Sequence, residues 1–224
     1  MGEAAATIVL GTAARGWAIQ AGAVRNDAYD ITAPSRRGEG ACRALQAVLQ
    51  GTAIGELALL NAHGVASMFM DQMESVAIQR AGLTAVPVNS LKGYFGHTLG
   101  AAGVLETILT MRSLEAGTII GTKGFEELGV SGQIQVSAQH QTTDKRRFVK
   151  MLSGFGGCNA ALLVADHGDG SADLVREATD QQNRPHDHRV VITPTSVTID
   201  GEQATTAWYS TRIQGTCKNV FIWI

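Results

Sequence analysis

The segment from Ala85 to Glu115 sets the strongest constraint on the fold. It opens with AVPVNS, a short apolar run suited to a buried strand. It passes through LKGYFGHTLGAAG, a loop with glycines at 93, 96, 100 and 103, and runs into AAGVLETILTMRSLE over 101–115. That last stretch is the best helix in the chain. Val104, Leu105, Ile108, Leu109 and Met111 are expected to supply its apolar side, and Gly117 lies just past its end. A strand, a glycine-rich turn and a helix in one continuous segment are the building unit of a layered α/β domain.

The flanking sequence repeats the theme. Strands are expected at 4–10 (AAATIVL), 17–24, 57–62 (LALLNA), 133–138, 147–153 and 160–165. Helices are expected over about 39–50, with Ala41, Leu45, Val48 and Leu49 on one face, and over 71–80, with Met73, Val76 and Ala77 inward. Residues 26–40 read as a turn-rich loop and 118–132 as irregular. Beyond 166 the chain turns polar. VVITPTSVTIDG then alternates like a hairpin around Pro194 and Asp200-Gly201, and CKNVFIWI is bare and apolar.

Composition closes off several function classes. With 45% hydrophobic and 17% charged residues the chain can fill a core. Its 18 Lys and Arg against 20 Asp and Glu, net −2, leave no electrostatic footprint for nucleic acid. Three cysteines make no disulfide framework and point to a reducing, cytoplasmic compartment. No run approaches the ~18 apolar residues of a membrane helix, and MGEAAATIVL has no signal-peptide pattern. Neither a membrane nor a metal is expected as a partner.

Three places can hold chemistry. In NAHG (61–64), His63 stands where an apolar strand gives way to glycine, well placed to face a cleft. In LKGYFGHTLGAAG, His97 precedes the long helix, Lys92 lies five residues before it, and Glu106 is positioned to pair with Lys92. In LSGFGGCNAALLV (152–164), Gly154, Gly156 and Gly157 flank Phe155 in a turn whose N–H groups can form an anion nest. Each has a plainer reading: a satisfied core histidine, a close-packing turn with a surface lysine, a tight hairpin. Two histidines, a lysine and a glycine turn, all at element ends, nevertheless make a convergent site. None of Cys42, Cys158 and Cys217 stands in a setting that would plainly activate a thiol.

NAHG, KGYFGHTLGAAG (92–103) and GFGGCNAALLV (154–164), in this order and spacing, resemble the C-terminal half of β-ketoacyl-[acyl-carrier-protein] synthases, condensing enzymes of the thiolase fold. GEAAATIVL and NDAYDITAPSRRGEGACRAL are similar to the family's preceding stretches, so the likeness covers about residues 2–165. The resemblance implies a mixed β-sheet with flanking helices. Residues 1–14 would be the end of an N-terminal half and 15–165 the C-terminal domain; residues 166–224 lie outside the resemblance and read as a short β-rich tail with a truncated or altered end. It implies decarboxylative Claisen condensation of malonyl-carrier protein with an acyl thioester. His63 and His97 take the family's two histidine positions, Lys92 its lysine, Glu106 its buried glutamate and Phe155 its gating phenylalanine. No cofactor is implied beyond the phosphopantetheine arm of acyl carrier protein, which arrives as substrate carrier.

The chain departs from the family pattern in places. Where His-Gly-Thr-x-Thr is usual, it reads His63-Gly64-Val65-Ala66-Ser67. Val65 puts a methyl where a hydroxyl would hold the pantetheine arm, a loss on the order of 1 kcal/mol. Ser67 keeps the second hydroxyl, Met70 crowds the entrance and Cys158 replaces a threonine. The family's nucleophilic cysteine belongs to the N-terminal half. The expected partners are therefore that half, a synthase homo- or heterodimer, and acyl carrier protein. Two alternatives stand beside the enzyme: a non-catalytic partner subunit of the chain-length-factor kind, and an inactive truncated fragment.

Overall fold

The computed structural model describes residues 1–11, 16–167, 190–193, 196–199 and 202–203. The chain divides into two units near residue 175. The first is built on a six-stranded sheet in the order β1-β8-β7-β2-β3-β5. Its strands are β1 (Trp17–Asn26), β2 (Leu59–Asn61), β3 (Pro87–Asn89), β5 (Gln135–Val136), β7 (Arg147–Gly154) and β8 (Cys158–Asp166). β7, β2, β3 and β5 run parallel, whereas β8 is antiparallel to both β7 and β1. The sheet is therefore mixed, as expected. A separate antiparallel pair joins β4 (Thr118–Ile119) to β6 (Gln141–Thr142), inside and beside the stretch expected to be irregular.

Strand pleating sends successive side chains to opposite faces, and both faces are covered. Leu60, Val149 and Leu163 pack with Leu45 and Val48 of α1 (Glu39–Val48) and Met73, Ala77 and Ile78 of α2 (Met68–Arg80). Leu59, Phe148 and Val164 pack on the other side with Leu114 of α4 (Ala102–Glu115). Each fully buried leucine of this kind contributes about 1.5–3 kcal/mol of transfer free energy. The expected inward face of α1 is buried as read. Met70 is partly buried and packs against the α1–α2 core.

Two other readings need correction. Residues 4–10 form no strand, and Val9 and Leu10 are exposed. Instead the Gly2 N–H donates to the His97 carbonyl at 3.0 Å. In α4 the fully buried residues are Ala102, Glu106, Thr107, Thr110 and Leu114, while Val104, Leu105, Ile108, Leu109 and Met111 are only half-buried. This helix is apolar almost all round, so periodicity does not select its face. Glu106 selects it through the ion pairs described below. Gly103 helps: a Cβ there would stand 2.6 Å from Leu152 Cδ1.

The second unit holds a three-stranded antiparallel sheet in the order β11-β10-β9, made of β9 (Val190–Thr193), β10 (Ser196–Ile199) and β11 (Glu202–Gln203). Ile199 pairs with Glu202; Pro194 and Asp200-Gly201, around which a hairpin is expected, lie outside the described residues. Cys217 and CKNVFIWI lie outside the described residues.

Candidate active site

The parallel strands β2, β3 and β7 all aim their carboxyl ends the same way, and in such sheets ligands bind outside those ends. β2 ends at Asn61 and leads through Ala62 to His63 and Gly64. β3 ends at Asn89 and leads into α3 (Lys92–Phe95), followed by His97. Asn61 and Asn89 tie the two ends together, the Asn61 amide donating to Asn89 Oδ1 at 2.8 Å. The Ser90 hydroxyl donates to the Gly64 carbonyl at 2.7 Å. Glycine is required at 64, where φ is +45° and a Cβ would meet Ser90 Cβ at 2.6 Å.

Four of the residues singled out from sequence come together here. The His63 and His97 rings stand edge to face, their centroids 5.2 Å apart and their planes at 81°. The Lys92 ammonium donates to the His63 carbonyl at 2.5 Å and to Glu106 Oε1 at 2.7 Å. Two residues that sequence reasoning missed complete the floor. Lys150 of β7 donates to Glu106 Oε2 at 2.5 Å and to the Ala62 carbonyl at 3.1 Å. Glu74 of α2 accepts the backbone N–H groups of His63 and Gly64, each at 2.7 Å. All four charged side chains are buried. Removing one partner of such a network leaves an uncompensated charge in a low dielectric.

These surroundings decide protonation. Burial pushes the His63 imidazole down to about 3, with the Lys92 and Lys150 ammonium groups and His97 adding to the shift. His97 is lowered as well, first by its partial burial and then by Lys92. Both rings are neutral at pH 7. The Leu99 N–H donates to His97 Nδ1 at 3.2 Å, which places the ring proton on Nε2 and makes that atom a donor. His63 Nδ1 is buried and makes no hydrogen bond within the described structure. Burial raises the Glu74 carboxyl to about 7, against the two N–H bonds that favour its ionised form.

The remaining candidates form a rim. Val65 is half-buried, and its N–H donates to Asp71 Oδ1 at 3.2 Å. Ser67 is exposed and precedes α2 without capping it through its hydroxyl. Gly154, Gly156 and Gly157 turn β7 into β8, with Phe155 at 85% exposure. The expected anion nest is partly filled, since the Gly156 N–H donates to the Ile31 carbonyl at 2.7 Å. The Asn26 amide donates to the Gly156 carbonyl at 2.6 Å, and the Asp27 N–H to the Gly157 carbonyl at 2.8 Å. The turn is thus anchored by its backbone, with Phe155 projecting from it. Among the described residues no group of His, Cys, Asp and Glu is arranged to hold a metal ion, and no helix is long and apolar enough to cross a membrane.

The family model for the β-ketoacyl synthase, C-terminal domain, matches residues 17–126, from β1 through the His63–His97 centre. The chain carries a β-ketoacyl synthase C-terminal domain. A 3-oxoacyl-[acyl-carrier-protein] synthase assigned to mitochondria of Schizosaccharomyces pombe is 35% identical over 148 residues, covering 61% of this chain and 35% of that protein. The 3-oxoacyl-[acyl-carrier-protein] synthase 1 of Escherichia coli K12 is 35% identical over 142 residues, covering 62% and 34%. Among solved structures, a ketosynthase in complex with its chain length factor from Xenorhabdus doucetiae matches with a TM-score of 0.60 and 29% identity, over 67% of this chain and 39% of that one. The chain therefore spans about a third of the length of these two curated relatives. The match confirms the thiolase-like layered fold for this β-ketoacyl synthase domain.

Proposed function

We propose that this β-ketoacyl synthase domain supplies the decarboxylation half-site of a condensing enzyme acting on malonyl-carrier protein in fatty acid or polyketide synthesis. The observation that carries the proposal is the pair of neutral imidazoles meeting over a buried ionic floor. Decarboxylation breaks the bond to the malonyl carboxylate, releases CO₂ and sends the electron pair to the thioester oxygen. His97 Nε2–H is a fixed donor for that oxyanion, and a neutral His63 adds a second without first giving up a proton. Fixed donors aimed at developing charge account for about 10²–10³ in rate each. The resulting carbanion then attacks an acyl thioester, forming a carbon–carbon bond and expelling a thiolate. The family resemblance puts that thiolate on a cysteine of an N-terminal half; in this chain Cys42 is buried in α1 with its thiol pushed up by burial. Phe155 and Ser67 would meet the incoming acyl and pantetheine groups at the rim.

A second reading, a non-catalytic partner subunit that binds carrier protein, draws on Val65 and on the similarity to a solved ketosynthase with its chain length factor. One experiment separates them. The chain is mixed with a cysteine-bearing N-terminal synthase half, and CO₂ release from malonyl-carrier protein is measured. Release above either half alone, lost in His63→Ala, supports the enzyme. Carrier binding without release supports the partner subunit and overturns the proposal.

A further inference from the structure

Lys150 is a charged group of the floor to which the proposed reaction gives no role, and nothing in the sequence motifs marks it. It sits on β7 opposite Asn61 of β2, at the strand end that delivers His63. Its side chain is 2% exposed, yet it carries an ammonium against the Glu106 carboxylate and the Ala62 carbonyl. Lys92 holds the other carboxylate oxygen and the next carbonyl along, that of His63. The two lysines therefore grip consecutive peptide carbonyls, and both are locked to one glutamate.

We propose that Lys150 is a positioning residue for His63, clamping the Ala62 carbonyl to Glu106 so that the imidazole is held in place and its proton affinity is coupled to the Lys150 charge. This rests on the reading of the site as a decarboxylation centre. Its physical basis is separate from that reading. A buried lysine costs several kcal/mol to desolvate unless its hydrogen bonds are met, and here they are met by the backbone that carries the histidine. The charged groups around it are Glu106 on α4, Lys92 on α3 and Glu74 on α2, with Asp71 beside Glu74; those facing His63 are Lys92, Lys150 and His97. With both lysines and both glutamates ionised the floor is neutral. Losing the Lys150 charge tips it negative, which favours protonation of His63. Burial lowers Lys150 to about 8 even with Glu106 beside it, so its charge can be removed within an ordinary pH range.

The test reads the ring nitrogens of His63 by NMR in the isotope-labelled full chain as pH is raised. In the wild type they are expected to shift with a midpoint near that of Lys150, about 8. Any step from Glu74 falls near 7 and is removed separately in Glu74→Gln. In Lys150→Arg, which keeps a cation that does not titrate, the step near 8 is lost and the neutral His63 signal is retained. In Lys150→Met the proton affinity of His63 rises by about tenfold or more. A wild-type His63 signal that is flat through the Lys150 titration overturns the proposal without needing any variant to fold. So does a step that survives in Lys150→Arg, or a folded Lys150→Met whose His63 titration is unmoved. No partner half enters the experiment, so the positioning role can fail while CO₂ release succeeds, and the reverse.

Discussion

Glu106 lies fully buried between two ammonium groups, whereas Phe155, at the other glycine turn singled out from sequence, stands 85% exposed with only its neighbours' backbone tied down. At the floor Lys92, Lys150 and Glu106 are each fixed by two partners on different elements, and Glu74 by two consecutive N–H groups at the β2 exit. At the rim the chain path is fixed and the side chains are not. A donor array that stabilises an oxyanion must not reorganise during the reaction, and a gate must be able to move. The contrast assigns preorganisation to the floor and adaptability to the rim.

Breaking the floor is expected to have the largest effect. Glu106→Ala leaves Lys92 and Lys150 buried without their shared carboxylate. Such a change costs about 3–5 kcal/mol, which is comparable to the whole stability of many domains. Urea unfolding would show the loss. A shift below about 1 kcal/mol would mean that the floor is looser than its distances state.

The same region makes a pH prediction whose two parts oppose each other. His63 titrates at about 3 when folded and near 6.5 when unfolded. As pH falls from 6.5 to 4.5, the unfolded chain takes up a proton there that the folded one refuses, and stability drops. Glu74 titrates at about 7 when folded against 4.5 unfolded. Over the same window the folded chain holds a proton that the unfolded one lacks, and stability rises. Each contribution is on the order of 2–3 kcal/mol across the window, so they nearly cancel in the wild type. His63→Phe should therefore become more stable as pH falls through it, and Glu74→Gln less stable. Denaturant midpoints at several pH values decide the matter; parallel curves for the three proteins would refute both assignments.

How much of this could be seen in the sequence differs between floor and rim. Glycine punctuation at 64, 93–103 and 154–157 directed attention to His63, His97, Lys92, Glu106 and Phe155, because turns with special backbone needs leave a local mark. Lys150 and Glu74 left none that was read. Lys150 alternates with Phe148 and Leu152 along β7, so a period-two pattern puts a lysine among core residues. Its partner Glu106 is 44 positions away, and a long-range ion pair has no local pattern. Glu74 falls on the inward face of α2 beside Met73, where the counterparts are backbone N–H groups rather than side chains. The inward face of α4 was misread because its apolar residues surround it. Residues 4–10 show the converse: an apolar run with strand-like composition forms no strand, because composition names no pairing partner.

At the rim the backbone should matter more than the side chain. Gly156 has φ +80° and open space where a Cβ would go. Gly156→Ala therefore meets no clash, only the left-handed backbone penalty of about 1–2 kcal/mol. A larger loss would show that the hydrogen bonds to Ile31 and Asn26 fail along with it.

Phe155→Ala is the smallest expected effect on stability and the sharpest check on the comparison. An exposed side chain with little packing to lose should change stability by no more than about 0.5 kcal/mol. Its effect belongs in the reconstituted assembly with an N-terminal half. There acyl transfer to the cysteine should change with acyl-chain length, while CO₂ release from malonyl-carrier protein stays near the wild-type rate. The floor makes the opposite pattern: His63→Ala removes CO₂ release whatever the acyl chain. If Phe155→Ala instead destabilises the chain by more than about 1 kcal/mol, the ring is packed in solution and the rim is as rigid as the floor. If it abolishes CO₂ release, the ring belongs to the oxyanion site, and the division of labour between the two glycine turns is wrong.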